Sequence, residues 1–248
     1  MKIFVVLLIV LISFMVAPSS SWSASPAEQP KDGEFVVLLH GMKRSASSMS
    51  QIENHLKANG YRTINIDYPS SEQTIEKLSD FIHQEITSRY FDKTRKVNFV
   101  THSMGGILLR YYLKQHRPDN LGRVVMLAPP NQGTEMSDFL QGSKIFEAFF
   151  GPAGTQLGTN EKSIVHSLGP VNFELGIIMG NISLNPIASM VVPGDDDGLV
   201  SHERSKVEGM NDSIILATAH SIIMFNKEVH AQIIHFLKDG KFVKEKNN

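Results

Sequence analysis

Ser103 stands where two kinds of sequence meet. The segment VNFVTHSMGGILLRYYL, residues 97–113, begins as a β-branched apolar run, breaks at Thr101-His102-Ser103, and resumes as a helical pattern of Ile, Leu and Tyr. A serine at a strand-to-helix turn, with a small residue two positions after it, differs by one residue from the nucleophile-elbow pattern G-x-S-x-G. That pattern is steric in origin. The tight turn forces the serine backbone into an unfavourable conformation, and small neighbours let strand and helix approach. Gly105 supplies the downstream small residue. Thr101 replaces the upstream glycine, and its β-branched side chain favours a strand.

A serine hydroxyl needs a base within hydrogen-bond reach. The usual base is an imidazole oriented by a carboxylate. On such an elbow the chain order is serine, acid, histidine, so the partners are sought downstream. The stretch VVPGDDDGLVS offers Asp195, Asp196 and Asp197. Asp197, directly before Gly198, is the first choice and Asp196 the second. A solvated acidic turn or a weak calcium site is the competing reading, but no further ligand follows at regular spacing and no metal is expected. The downstream histidines are His202, His220, His230 and His235. His230 and His235 fall in a late amphipathic segment and suit packing or surface. His202 lies in a charged loop very close to the acid. His220 follows the apolar run DSIILATA at a strand end and is the chosen base. Attack on a carbonyl also creates an oxyanion, which needs preorganised N–H donors. Met104, just after the serine, and Met42, in LLHGMKRS, are the candidates. His40 is read as structural, and His102 as positional, because adjacent strand side chains point to opposite faces.

The elements that must position these residues alternate. EFVVLLHG, YRTINIDYP, KVNFVTH, LGRVVMLAPP, FELGIIMGN and DSIILATAH read as strands. SASSMSQIENHLKANG, SEQTIEKLSDFIHQEITSRY, GGILLRYYLKQH and FNKEVHAQIIHFLKDG read as helices with apolar stripes. The alternation predicts an α/β protein with a mostly parallel sheet and helices on both faces. Function then gathers at the carboxyl ends of the strands, where His40, Ser103 and APPNQGT all fall. The region of about 133–171 is less regular and reads as an insertion. Its Phe146, Phe149 and Phe150 could form a lid or an acyl-chain wall, or could simply pack on the sheet.

The chain of 248 residues carries 24 Lys and Arg against 25 Asp and Glu, with no basic patch to suggest a nucleic-acid partner. It has no cysteine, which excludes disulfides and a cysteine-linked lipid anchor. Lys2, an apolar run and the small-residue stretch PSSSWSASPAEQP are the parts of a secretory signal. The apolar run is roughly 15 residues, short of the ~20 that span a bilayer. The expected organisation is a cleaved signal at 1–23 (an uncleaved membrane anchor being the alternative), a linker at 24–33, one domain at 34–240 and a polar tail at 241–248. An exported protein, periplasmic or secreted, follows. The apolar SIIMF and the phenylalanines suit a monomer core or an interface equally, so oligomeric state stays open.

With Ser103, Asp197 and His220 in that order, the chain resembles the α/β-hydrolase superfamily, and within it small bacterial lipase- and esterase-like proteins. The segments that carry the resemblance are VVLLHGM, VNFVTHSMGGILLRYYL, VVMLAPPNQGTEMSD, DDDGLVS and ATAHSIIMFNKEVHAQIIHFLKDG, from about Phe35 to Gly240. It implies the α/β-hydrolase fold and hydrolysis of a small-molecule or lipid carboxylic ester through an acyl-serine. It also implies no metal or organic cofactor, and contact with a membrane surface is a further expectation. The departure at Thr101 separates the chain from lipases with the full glycine pattern. The same three residues also suit an acyltransferase, a thioesterase or an amidase. A non-catalytic binding protein on the same scaffold is the remaining alternative.

Overall fold

The computed structural model describes residues 33–90, 92–184 and 189–244. The expected signal or anchor at 1–23 and nearly all of the linker lie outside them. In chain order the elements are β1 (Phe35–Leu39), a 3-10 turn (Ala46–Met49), α1 (Ser50–Ala58), β2 (Arg62–Ile66), α2 (Ile75–Arg89), β3 (Val97–His102), α3 (Met104–His116) and β4 (Leu121–Leu127). Then come α4 (Glu135–Leu140), α5 (Lys144–Thr155), α6 (Ile164–Leu168), β5 (Leu175–Gly180), α7 (His202–Ser205), β6 (Asp212–Leu216), a second 3-10 turn (Ile223–Phe225) and α8 (Lys227–Asp239).

The six strands form one sheet in the order β2-β1-β3-β4-β5-β6. Every pairing is parallel. FVVLL of β1, VNFVTH of β3 and LGIIMG of β5 are buried along their whole length. Burial along the whole strand suits parallel strands covered on both faces. The edge strands β2 and β6 keep partly exposed positions. Helix α1 packs against α8, and α2 against α3. The predicted first helix opens as the 3-10 turn, with no side chain capping its start.

The register sets the working end of the sheet. Leu39 pairs with Thr101, and Thr101 with Met126, so β1, β3 and β4 finish side by side. From β1 the chain first steps outward to β2 and then returns to place β3 on the other side. Ligand crevices of open α/β sheets form at such a reversal.

The insertion carries α4, α5 and α6. Helix α5 breaks at Gly151, just before Pro152. Arg110 of α3 ties both ends of the region down: its Nη1 donates to the Asn131 carbonyl at 2.8 Å and its Nη2 to the Gly169 carbonyl at 2.6 Å. At the other end of the chain the packed domain extends past the expected boundary at 240. Phe242 is buried against the Phe236 ring, and Lys244 pairs with Asp212. An aromatic residue two positions after the helix stop finds apolar surface, so the tail is not wholly polar; 245–248 lie outside the described residues.

Candidate active site

Ser103 adopts φ 53 and ψ −125 between β3 and α3, one of few non-glycine residues with positive φ. Such strain costs of order 1–3 kcal/mol and persists only where the surroundings impose it. Here the Ser103 N–H donates to the Leu127 carbonyl at 2.8 Å, and the Ser103 carbonyl accepts from Gly106 N–H at 2.9 Å. Gly105 is required by close approach: a Cβ there would lie 2.7 Å from both the Leu39 and His40 carbonyl oxygens. Thr101, where a glycine was expected, packs beside Gly106: a Cβ on Gly106 would lie 3.1 Å from Met126 Sδ and Pro129 Cβ and 3.4 Å from Thr101 Oγ1. The Thr101 hydroxyl is buried with no hydrogen-bond partner.

The structure brings Ser103, His220 and Asp197 together. Ser103 Oγ lies 3.0 Å from His220 Nε2, and His220 Nδ1 lies 2.8 Å from Asp197 Oδ2. With Nδ1–H donating to the carboxylate, Nε2 is free to accept the serine proton. Asp197 is 1 % exposed. Its other oxygen accepts from the N–H groups of Leu199 at 3.2 Å and Val200 at 3.0 Å. Asp196 is engaged elsewhere, accepting from Gly198 N–H at 2.6 Å and Ser189 Oγ at 2.9 Å. Asp195 is exposed. His202 donates through Nε2 to the Gly180 carbonyl at 2.8 Å, fastening the acidic loop to β5. His230 donates to the Met224 carbonyl, and His235 sits half-exposed beside Asp239. Among the described residues no group of three or more His, Cys, Asp or Glu side chains is arranged to hold a metal ion.

His102 departs from its sequence reading. The expectation that it diverges from Ser103 assumed a continuous strand. The elbow turns the backbone at Ser103, and the His102 ring reaches the same pocket. Its Nε2 donates to the His220 carbonyl at 3.1 Å. Burial, reinforced by His220 and Arg44, pushes its pKa well below the usual imidazole value, so it is a neutral prop for the base.

The loop after β1 is bolted in place. The His40 and Tyr68 rings stack at 4.1 Å, and the Tyr68 hydroxyl donates to the His40 carbonyl. Tyr68 N–H donates to His40 Nε2 at 3.3 Å, and Lys43 N–H donates to Ser70 Oγ at 3.1 Å. Burial lowers the His40 pKa and keeps it neutral. This loop and the start of α3 carry Met42 and Met104. Met104 is the first residue of its helix. Its N–H therefore has no intrahelical acceptor and sits at the positive end of the helix dipole.

A pocket opens over Ser103 and His220. Its apolar wall includes Met136, Phe150, Leu157, Leu184, Leu199 and Val200, with Met42 and Met104 at the serine. Phe150 thus lines the pocket. The side chains of Phe146 and Phe149, expected beside it, lie outside the described residues. Arg44 also lines the pocket. Sequence reasoning passed it over, since the adjacent Lys43 and Arg44 in a polar loop read as solvated charge.

The sheet, the strained serine and the imidazole–carboxylate pair define an α/β-hydrolase. The palmitoyl protein thioesterase family matches residues 35–168, more than half of the chain, and the chain belongs to that family of ester-hydrolysing enzymes. No curated protein sequence matches it. Its fold is shared with the mature lipase of Bacillus licheniformis at TM-score 0.68 and 18% identity, over 88% of this chain and 96% of that one. A metagenomic carboxyl esterase aligns at TM-score 0.63 and 16% identity, covering 83% of this chain and 70% of that one. An esterase from Exiguobacterium antarcticum aligns at 0.56 and 14%, covering 84% and 93%.

Proposed function

We propose that Ser103, His220 and Asp197 form the catalytic triad of a serine hydrolase that cleaves carboxylic esters through an acyl-serine. One observation carries the reading: a strained serine 3.0 Å from an imidazole whose other nitrogen is 2.8 Å from a buried carboxylate. His220 Nε2 takes the Ser103 proton as Oγ attacks the ester carbonyl. The N–H groups of Met42 and Met104 receive the oxyanion. Collapse of the tetrahedral adduct breaks the bond to the leaving alcohol, which takes its proton from His220. Water then attacks the acyl-serine by the same steps in reverse, with His220 as base, and Ser103 regains its proton. The acyl chain lies along Met136, Phe150 and Leu157.

The thioester reading has specific support in the family match. A thioester uses the same attack and the same oxyanion site, and differs in a leaving thiolate that needs less help from His220. The test is hydrolysis of p-nitrophenyl esters and matched S-acyl thiols of increasing chain length, with Ser103→Ala alongside. Turnover that disappears in the variant supports the reading, and the ratio between the two series decides ester against thioester. Wild-type inactivity on both series, with no labelling by a fluorophosphonate, would refute it.

The apolar N-terminal run supports export to the periplasm or the medium, with anchoring as its alternative. Leu184, exposed and lining the pocket, supports contact with a lipid surface, as do the exposed Ile182 and Met190 nearby in sequence. Fractionation of cells, with N-terminal sequencing of the mature protein, tests the first. Sedimentation with phosphatidylcholine vesicles tests the second.

A further inference from the structure

Two arginines are largely withdrawn from water without a carboxylate partner among the described residues, and they differ in how their donors are used. Arg110 is consumed by the fold. Its guanidinium donates to the Asn131 carbonyl, to Asn131 Oδ1 and to the Gly169 carbonyl. Arg44 has one hydrogen bond, from Nη2 to the Ser221 carbonyl at 3.1 Å. A guanidinium carries five N–H donors in a planar fork. Burial without an ion partner is costly, and it lowers the Arg44 pKa.

Arg44 also sits in the right place. It lines the same pocket as Ser103 and His220. Its hydrogen bond is to the residue after His220, and its charge is felt at His102, the residue before Ser103. The only other formal charge on that wall is Asp197, which is buried and committed to His220 and two backbone N–H groups. Asp195 and Asp196 do not line the pocket. The remaining wall is largely apolar. The site thus joins an acyl-sized apolar surface to one underused planar cation.

We infer that Arg44 is a specificity-determining residue that binds a phosphate on the leaving group of the acyl substrate. The inference deepens the ester-hydrolase reading and rests on it. Guanidinium is the side chain suited to bidentate recognition of such groups. Two sources share this chemistry: the phosphate of an acylated glycerol phosphate, and the phosphate of an acyl thioester carrier.

The experiment measures binding in the Ser103→Ala enzyme, so its outcome does not depend on turnover. Calorimetry compares monoacylglycerol with its phosphate, and S-acyl pantetheine with S-acyl phosphopantetheine, at one chain length. The phosphorylated member of at least one pair is expected to bind about tenfold or more tightly, as for hydrogen bonds to a charged group. Which pair shows it identifies the source. Adding Arg44→Met should bring that ratio close to one, Arg44→Lys should leave part of it, and salt should shrink it. Equal affinities within both pairs, or a preference that Arg44→Met leaves intact, would overturn the inference. Wild-type turnover of the neutral members separately tests the ester-hydrolase reading.

Discussion

His220 and Asp197 hold each other twice. Their side chains meet at 2.8 Å through Nδ1 and Oδ2, and the His220 backbone N–H donates to the Asp197 carbonyl at 2.9 Å. The acid therefore fixes both the tautomer of the imidazole and the position of the loop that carries it. This loop-to-loop clamp joins segments that leave β5 and β6, neighbouring strands of the sheet.

The clamp separates two roles of Asp197. In Asp197→Asn the backbone bond survives, while the side chain can present an amide N–H where the carboxylate accepted the His220 Nδ1–H hydrogen bond. Ester turnover is expected to fall by ~10⁴-fold with thermal stability little changed, as for a wrong-tautomer lesion. Asp196→Asn, which alters a carboxylate facing Ser189 and the Gly198 N–H, should cost far less. Equal losses in the two variants would remove Asp197 from its proposed role. Steady-state kinetics beside a melting curve make the comparison.

Gly105→Ala should damage stability and turnover together. Its new Cβ would meet two carbonyl oxygens at 2.7 Å, and backbone on both sides gives way poorly. Overpacking of this kind costs about 1–3 kcal/mol. The shift falls on the junction of β1 and α3, which carries both proposed oxyanion donors. Urea unfolding measures the first effect and kcat the second.

Thr101→Val runs the other way. The Thr101 hydroxyl is buried without a partner, and valine keeps the β-branched shape. Removing an unsatisfied polar group should stabilise the protein by about 1 kcal/mol. A lower urea midpoint would show that the hydroxyl is satisfied in solution.

Acid should weaken the fold through its buried histidines. Burial lowers the pKa of His40, His102 and His230 below the ordinary imidazole value of 6.5. The unfolded chain therefore binds more protons than the native one as pH falls below that value. Their contribution to stability is complete above pH 6.5 and is lost as pH falls from there toward the folded-state pKa values. Thermal midpoints between about pH 7.5 and 5 should decline, and His102→Gln should make the decline shallower. A midpoint independent of pH across this range would contradict the assignment.

Much of this was legible in the sequence, for identifiable reasons. The inner strands stand out because both faces of a parallel sheet demand apolar residues, and the edge strands β2 and β6 by their short β-branched runs between helical segments. Ser103 is visible because its elbow needs a strand before and small residues after. The place of His220 follows from its position just beyond β6. Other features depend on contacts between distant segments. The packing of the Thr101 side chain beside Gly106 is a contact across the elbow that local spacing does not reveal. His102 was misjudged because strand alternation stops where the chain turns. Arg44 gains its meaning from Ser221, a neighbour 177 positions away in the chain. Phe242 looked like tail because its partner Phe236 lies on the helix just before it.

The order of the sheet also separates the supports of the serine from those of its partners. After β3, strands join one edge in the sequence in which they are synthesised, and β6 is the last. The strained serine is held by β1, β3, α3 and the Leu127 carbonyl of β4, whereas Asp197 and His220 follow β5 and β6. On the proposed roles, a chain lacking its last edge strand would keep the serine in place but lose the base and the loop it clamps, so detachment of β6 alone is expected to abolish turnover.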